Sequence, residues 1–286
     1  MTDTQNEVFK TPVNKIRLFE HGAPGSQNLK LTRKYYTEDM PDGRVKHIVQ
    51  NITDPDIVPY IPDGIGNSTD RQRIPAVLII PGGAFRRLVY NFEGEDVAKW
   101  LNSMGIAAFV LECRLPSDEH DNAEDVPLID AMRAMRVIRG RAQEFGIDEA
   151  KIGVMGFSAG GFMAALLSTA YESDVYADYK YKDEYDKLSA RPDFAVCSYP
   201  VISIDDCIEA GKRYMSEEQV LERISDSKAK ILHKYNPDKL VRPDMPPVFI
   251  CETDDDRTTL SENSVGFYMA ARKAGVSAEL HIFRTG

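Results

Sequence analysis

From residue 76 onward, short runs of consecutive apolar residues alternate with longer segments in which apolar residues recur at helical spacing. The continuous runs predict strands that are buried on both faces, and the longer segments predict helices with one apolar face. The predicted strands are 76–80, 106–111, 151–155, 194–198, 248–251 and 278–283, and the predicted helices are 93–104, 127–146, 161–170 and 262–273. This alternation predicts an α/β fold, in which a mostly parallel, twisted sheet has helices on both faces.

Two regions depart from the alternation. Residues 28–62 are more polar and contain a turn at 41–43, which predicts an antiparallel N-terminal edge of the same sheet. Residues 204–242 are polar with a helical pattern, and we expect a small cap-like insertion that shapes the substrate pocket together with the Tyr-rich segment 171–185. Because no internal repeat or low-complexity tract occurs, the sequence predicts a single domain over residues 1–286.

The chain is acidic: its 286 residues include 35 Lys and Arg against 45 Asp and Glu, for a net charge of −10. Since the sequence has no basic stripe to displace the counterions of phosphate groups, a nucleic-acid partner is not expected. The first residues lack the pattern of a signal peptide, and the longest apolar run is too short to span a bilayer. We therefore expect a cytoplasmic protein without a membrane partner, and no pattern indicates its oligomeric state.

The cysteines are scattered along the chain, and three of them lie within or beside strand-like runs. Their spacing contains no C-x-x-C pair, so they predict buried free thiols and no metal site. They are Cys113, Cys197, Cys207 and Cys251.

The segment Gly156–Gly160 is a G-x-S-x-G sequence between a predicted strand and a predicted helix. In that context the motif is typical of a sharp strand-to-helix turn that exposes a nucleophilic serine above the sheet. The helix behind the turn contributes backbone N–H groups that can bind a developing oxyanion. We therefore predict that Ser158 is the nucleophile; the alternative is an ordinary turn between a strand and a helix.

A glycine-containing loop follows the first central strand, at Pro81–Phe85. In this element order, such a loop supplies oxyanion-binding N–H groups opposite the nucleophile. We predict that the backbone N–H groups of Gly83, Ala84 and Ala159 form the oxyanion hole. The alternative is that the two glycines merely turn the chain.

Three consecutive acids, Asp254–Asp256, follow the strand 248–251. A hydrolase of this type places the acid of its triad on the loop after a late strand, before the histidine in chain order. We predict that Asp255 is this acid, with Asp256 as the second choice and the remaining acids as solvated loop residues. No glycine or later glutamate lies at the spacing of a calcium-binding loop, so no metal is expected.

Together these features resemble the α/β-hydrolase esterases, and more narrowly the bacterial acetylxylan and feruloyl esterase group of carbohydrate esterases. The resemblance extends over about residues 45 to 286 and implies an α/β-hydrolase fold. It also implies an enzyme without a cofactor that removes acetyl groups, and in some members feruloyl groups, from plant-wall saccharides such as xylan through an acyl-enzyme on Ser158. The matching stretches are 81–85, 101–111 with 114–116, 127–133, 152–161, 191–194 with 199–200, 247–249 with 255–256, and 276–283.

The sequence departs from this group at two positions. Ala84 replaces the third glycine of the oxyanion loop, which a backbone N–H donor tolerates. Glu252 occupies a position where members of the group often have His or Gly, and the sequence alone assigns no consequence to this change.

A serine esterase also needs an imidazole that accepts the serine proton, and chain order puts this group on the loop after the last strand. The histidine downstream of Asp255 is His281, which lies inside the predicted strand rather than after it. We therefore expect the catalytic histidine to lie past Gly286, together with a last helix, so that the sequence is a truncated esterase. His21, His47, His120 and His233 are predicted to be surface or cap residues, although His120 or His233 could line the substrate site.

Two other functions remain open from the sequence. The first is a peptidase of the prolyl-oligopeptidase type, whose acid loop resembles Asp255–Arg257 but which usually has an additional propeller domain. The second is a saccharide-binding or scaffold protein that kept the fold without an active base. The esterase hypothesis predicts a small-molecule or oligosaccharide ester as the partner.

Overall fold

The computed structural model describes residues 9, 11–65, 73–213, 216, 218–219 and 229–286. The strands are β1 (Ile16–Arg17), β2 (Lys34–Asp39), β3 (Val45–Gln50), β4 (Asp56–Tyr60), β5 (Ile74–Ile80), β6 (Leu88–Val89), β7 (Ala107–Glu112), β8 (Ile147–Phe157), β9 (Ala195–Ser198), β10 (Val248–Thr253) and β11 (Ala278–Phe283). The helices are α1 (Asp96–Ser103), α2 (Val126–Gly140), α3 (Ala142–Phe145), α4 (Ala159–Ala170), α5 (Ile204–Lys212), α6 (Ala229–Lys234) and α7 (Ser261–Lys273).

Among the described residues, eight strands form one sheet in the order β1-β4-β7-β5-β8-β9-β10-β11. The six strands from β7 to β11 in this order are parallel, whereas β4 and β1 are antiparallel and form one edge. The central strands are buried on both faces, as their continuous apolar sequences predict. The α/β-hydrolase class with an antiparallel N-terminal edge is therefore confirmed.

The hairpin in the N-terminal region belongs to a different sheet from the one expected. Strands β2 and β3 pair with each other, and β3 pairs with β6 to form a separate three-stranded sheet. The reason lies in burial, because β2 is largely exposed whereas the first three residues of β4 are buried. Of the described residues in the predicted edge region 28–62, only those of β4 pair with the eight-stranded sheet, beside β1 and β7.

The connections on either side of β5 and β8 run in opposite directions along the sheet. Helix α1 connects β5 to β7 in one direction along the sheet, and α4 connects β8 to β9 in the other. Since such crossovers are right-handed, these helices lie on opposite faces and leave a crevice at the carboxyl ends of β5 and β8. The two strands end level with each other, with Ile80 paired to Gly156.

The predicted insertion 204–242 contains α5 and α6, while residues 214, 215, 217 and 220–228 within it lie outside the described part. The assignment of a single domain with a cap-like insertion stays a prediction. Cys113 and Cys197 are buried free thiols as expected, Cys251 is half-buried, and the side chain of Cys207 is outside the described residues. No helix among the described residues is long and apolar enough to cross a membrane.

Candidate active site

Ser158 lies in the turn between β8 and α4, with φ of 52° and ψ of −118°. A positive φ costs a residue with a side chain about 1–3 kcal/mol, so surrounding contacts must hold the turn. The Ser158 N–H donates to the Ser198 carbonyl at 3.0 Å, and the Ser158 carbonyl accepts from the Phe162 N–H at 3.0 Å. The predicted sharp turn is therefore present, with a half-buried serine in a strained conformation.

Two glycines of the motif permit the close backbone approach that this turn needs. A Cβ atom on Gly156 would lie 2.0 Å from the carbonyl oxygen of Gly160, and one on Gly160 would lie 2.0 Å from that of Ile80. Both distances are far below van der Waals contact, so neither position accepts a side chain unless the backbone moves. The glycines let the start of α4 pack directly against the ends of β5 and β8.

The loop after β5 packs directly against the nucleophile turn. A Cβ atom on Gly82 would lie 3.0 Å from Ser158 Cβ and 2.5 Å from the carbonyl oxygen of Phe157. The Gly82 carbonyl accepts a hydrogen bond from Val89 N–H at 2.9 Å, which closes the loop onto β6. The structure thus brings the predicted oxyanion loop and the predicted nucleophile together.

Three successive residues of this loop have positive φ: 138° at Gly83, 57° at Ala84 and 59° at Phe85. Ala84 therefore adopts a conformation that favours glycine, which is the residue it replaces relative to the resembling group. Ala159 is the first residue of α4, where helix N–H groups have no partner within the helix. Among the described residues, the N–H groups of Gly83, Ala84 and Ala159 donate none of the backbone hydrogen bonds outside helices and strands, which is compatible with the role predicted for them.

A narrow crevice with a volume of about 20 Å³ lies between the loop and α4. Its lining includes Gly82 and Ala159 together with the apolar side chains of Phe85, Leu115 and Met163. One water-sized sphere needs about 10–15 Å³, so the crevice has room for about one water molecule. The Tyr-rich segment, which we expected to shape the pocket, lines a different cleft of about 360 Å³.

The structure distinguishes the three acids after β10 by their contacts. Asp256 caps its own loop: Oδ1 accepts from the N–H groups of Thr258 and Thr259 at 2.6 and 3.0 Å. Asp254 accepts a hydrogen bond of 3.4 Å from Ser261. Asp255 is exposed, and its Oδ1 accepts from the N–H of Gly286, on the loop after β11, at 3.3 Å. The contacts therefore leave Asp255, the first choice from the sequence, free of a structural role within its own loop.

The histidines lie apart from these residues. In the described chain, no hydrogen bond joins a histidine to Ser158 or Asp255. His281 bonds to Glu279 at 2.6 Å and stacks on Phe249 within the sheet, as expected for a strand residue. His120 is buried, and its Nδ1 lies 3.0 Å from Ser26 Oγ. Burial and the Arg114 charge lower the pKa of His120 to about 4.

Glu93 belongs to the site although its sequence pattern gave no such indication. The sequence suggested an acid in the first turn of a helix, but Glu93 lies in a π-helical turn, Asn91–Glu95, before α1. Its Oε2 accepts from the Gly82 N–H at 2.7 Å, and its Oε1 accepts from the Tyr199 hydroxyl at 3.1 Å. Burial raises the pKa of this carboxyl above its ordinary value of 4.5.

Glu252, the second departure from the resembling group, is almost fully buried at the end of β10, with 1% exposure. Its Oε1 accepts from the Thr253 N–H at 3.0 Å, and its Oε2 accepts from the Ser264 hydroxyl at 3.3 Å. Burial, together with a smaller contribution from the nearby Asp256 charge, raises the pKa of Glu252 from 4.5 to about 7. The residue therefore joins β10 to α7 rather than contacting the nucleophile turn through these bonds.

The chain is similar to a known protein family and to proteins of known structure. The model of the BD-FAE family matches residues 65–270 of the chain. The chain belongs to the BD-FAE family. Its predicted membership of the α/β-hydrolase esterase group is thereby confirmed.

Two curated relatives of this BD-FAE chain come from bacteria. The acetylxylan esterase of Xylanibacter ruminicola is 30% identical over 213 residues, which cover 74% of this chain and 40% of the relative. The endo-1,4-beta-xylanase B of Butyrivibrio fibrisolvens is 31% identical over 218 residues, which cover 76% of this chain and 32% of the relative. The chain thus spans less than half the length of either relative.

Two solved structures with the same fold are similar to this chain over most of its length. The acetyl ester-xyloside bifunctional hydrolase from Caldicellulosiruptor lactoaceticus is 35% identical, with a TM-score of 0.66 over 95% of this chain and 86% of that one. The carboxylesterase Cest-2923 from Lactobacillus plantarum is 22% identical, with a TM-score of 0.62 over 90% of this chain and 84% of that one. The second similarity concerns the fold alone.

Within the described residues, no group of three or more His, Cys, Asp or Glu side chains is arranged to hold a metal ion. The site described above combines a serine in a strained turn, a glycine-containing loop packed against that turn, and acids on the loop after β10.

Proposed function

We propose that this BD-FAE chain is a serine carboxylic-ester hydrolase that removes acetyl groups from plant-wall saccharides such as xylan. The observation that supports this most directly is the strained Ser158 turn with the Gly82 loop packed against it. The similarity to an acetylxylan esterase and to an acetyl ester-xyloside hydrolase supports the choice of ester and saccharide.

In the proposed reaction, Ser158 Oγ forms a bond to the acyl carbon while its proton passes to a base. The carbonyl oxygen becomes an oxyanion, which the N–H groups of Gly83, Ala84 and Ala159 stabilise. The base then returns the proton to the sugar oxygen as the ester bond breaks and the alcohol leaves. Water attacks the acyl-enzyme by the same sequence of steps, which releases acetate and restores the serine hydroxyl.

Asp255 is the proposed acid that orients and stabilises the imidazole of the base. Its contact with the Gly286 N–H supports this role, because it directs the carboxylate towards the loop that follows β11. That this loop supplies the catalytic histidine stays a prediction. Asp256 is less suitable because its Oδ1 already accepts from the N–H groups of Thr258 and Thr259, and its Oδ2 accepts from the Thr259 hydroxyl.

We propose that the acyl group enters the crevice lined by Gly82 and Ala159, whose size then favours acetyl over feruloyl. Its volume of about 20 Å³ leaves no room for the aromatic ring of a feruloyl group unless the Phe85, Leu115 or Met163 side chains move. We therefore expect acetyl esters to react faster than feruloyl esters, which remain the second substrate class.

The test measures hydrolysis of p-nitrophenyl acetate, acetylated xylan and methyl ferulate by the full-length protein and by Ser158→Ala. Removing the nucleophile should lower kcat about a million-fold. Ser103→Ala is the matched control, because that exposed hydroxyl donates to the Trp100 carbonyl of its own helix, away from the Ser158 turn. A Ser158→Ala variant that hydrolyses these esters at the wild-type rate would refute the proposal, and faster cleavage of methyl ferulate would overturn the choice of acyl group.

A further inference from the structure

The Glu93 carboxylate connects two segments that meet at Ser158 from different strands. One oxygen accepts from Gly82, the residue that begins the oxyanion loop after β5. The other accepts from the hydroxyl of Tyr199, which directly follows β9. The strand end before Tyr199 also binds the nucleophile turn, because the Ser198 carbonyl accepts from the Ser158 N–H. A single side chain therefore ties the oxyanion loop to the backbone that holds Ser158.

The contacts between these groups leave no intervening space. A Cβ atom on Gly82 would lie 2.7 Å from Glu93 Oε2 and 3.0 Å from Ser158 Cβ. Gly82 thus packs against both the carboxylate of Glu93 and the Ser158 turn. A shift of Gly82 away from Glu93 would change the distance between Ser158 and the N–H groups that follow Gly82 in the chain.

The loop needs such an anchor because its own conformation is strained. Ala84 and Phe85 have positive φ without being glycine, and so does Tyr199 on the other side of the carboxylate, at 36°. Backbone of this kind persists only where surrounding contacts over-determine it. The short charge-assisted bond from Gly82 N–H at 2.7 Å is a contact of that kind.

We propose that Glu93 is the positioning residue of the oxyanion loop, holding Gly82 so that the N–H groups of Gly83 and Ala84 face the oxyanion. The inference rests on the proposed ester hydrolysis at Ser158. Glu93 does not contact the substrate in this scheme, and it acts only through the backbone of Gly82.

The direction of the Glu93 pKa shift distinguishes a role in positioning the loop from a role in folding stability. Burial raises its pKa, whereas the Gly82 N–H, the Tyr199 hydroxyl and the positive charge of Lys46 act in the opposite direction. The raised pKa means that the ionised carboxylate is disfavoured in the folded state relative to water. A neutral side chain of the same shape therefore should not lower the folding stability, even though loss of the acceptor should lower the rate.

The experiment compares Glu93→Ala, Glu93→Gln and the control Glu95→Ala in acetyl-ester hydrolysis by the full-length protein. Active sites are titrated with a fluorophosphonate, so that kcat refers to folded, competent sites. Since a displacement of about 1 Å in a catalytic constellation can cost about 100-fold in rate, Glu93→Ala should lower kcat by about that factor with KM nearly unchanged. Glu93→Gln should restore most of kcat, because its amide oxygen can accept from Gly82. Replacing Glu95, which pairs with Lys99 on the same helical segment, should leave kcat unchanged.

The outcomes separate this inference from the proposed function. Ser158-dependent hydrolysis in the wild type with an unchanged kcat per titrated site in Glu93→Ala would overturn the positioning role alone. A loss confined to the number of titratable sites and to Tm would also overturn it, since that is the signature of a structural residue. Failure of Glu93→Gln to recover activity would contradict the acceptor role. Wild-type protein without Ser158-dependent hydrolysis would overturn the proposed function, and this role with it.

Discussion

Replacing the buried Glu252 by Gln should stabilise the protein at alkaline pH and have little effect at acidic pH. In the folded chain the pKa of Glu252 is about 7, against an ordinary value of 4.5. A raised pKa means that this group favours folding fully below about pH 4.5 and loses that contribution as the pH rises through 7. Gln is neutral throughout this range, and it can still accept from the Thr253 N–H and donate to the Ser264 hydroxyl.

The magnitude follows from the size of the shift. Each pKa unit corresponds to about 1.4 kcal/mol, so a shift from 4.5 to about 7 sets an upper limit of about 3 kcal/mol on the gain in unfolding free energy above pH 8. The cause is desolvation, because only 1% of the residue is exposed while its two bonds offset only part of the cost. The Asp256 charge adds to the cost in the same direction.

Urea unfolding of the wild type and Glu252→Gln at pH 5 and pH 8 measures this difference. The variant should gain stability relative to the wild type as the pH rises, with equal m-values at each pH. Glu149→Gln is the control, since Glu149 is an exposed partner of Arg73 and its replacement should act equally at both pH values. A stability difference that does not change between pH 5 and pH 8, or that favours the wild type at pH 8, would refute the reasoning.

Two further predictions concern the active edge of the sheet. Gly160→Ala should lower Tm and abolish hydrolysis, because its Cβ would lie 2.0 Å from the Ile80 carbonyl oxygen, and thermal melts with circular dichroism check this. An unchanged Tm would contradict the close packing. Asp255→Asn should lower kcat by about 10⁴-fold without changing Tm. Asp256→Ala should lower the free energy of unfolding by about 1 kcal/mol through lost loop hydrogen bonds and leave kcat unchanged. A large loss of kcat in Asp256→Ala with an unchanged kcat in Asp255→Asn would assign the acid to Asp256.

Much of the fold could be predicted from local sequence. Continuous apolar runs identify β5 and β7 because strands buried on both faces of a parallel sheet need apolar residues throughout. The G-x-S-x-G sequence likewise identifies the turn at Ser158, because glycines are needed wherever backbone approaches within 2.0 Å of a would-be Cβ. In both cases the structural requirement leaves a recognisable local sequence, either a continuous apolar run or a glycine motif.

The pairing of the N-terminal hairpin was not predictable in the same way. The alternating, half-polar sequence of β2 and β3 indicates strands but does not specify which strand lies beside them. Their partner is β6, a strand of two residues that the apolar pattern does not reveal. Strand partners depend on the surface left open after the other strands pair, and this is a property of the whole assembly.

By itself, then, the sequence determined the element order, the parallel sheet, the sharp turn at Ser158 and the presence of a glycine-containing loop after β5. Only the tertiary structure decided that Glu93 binds Gly82 and Tyr199, and that Asp256 rather than Asp255 is engaged by its own loop. The physical reason is the range of the interaction. The glycine motif and the apolar runs can be recognised from residues within a few positions of each other, whereas the Glu93 bonds join residues 11 and 106 positions apart, which only the packed sheet brings within hydrogen-bond distance.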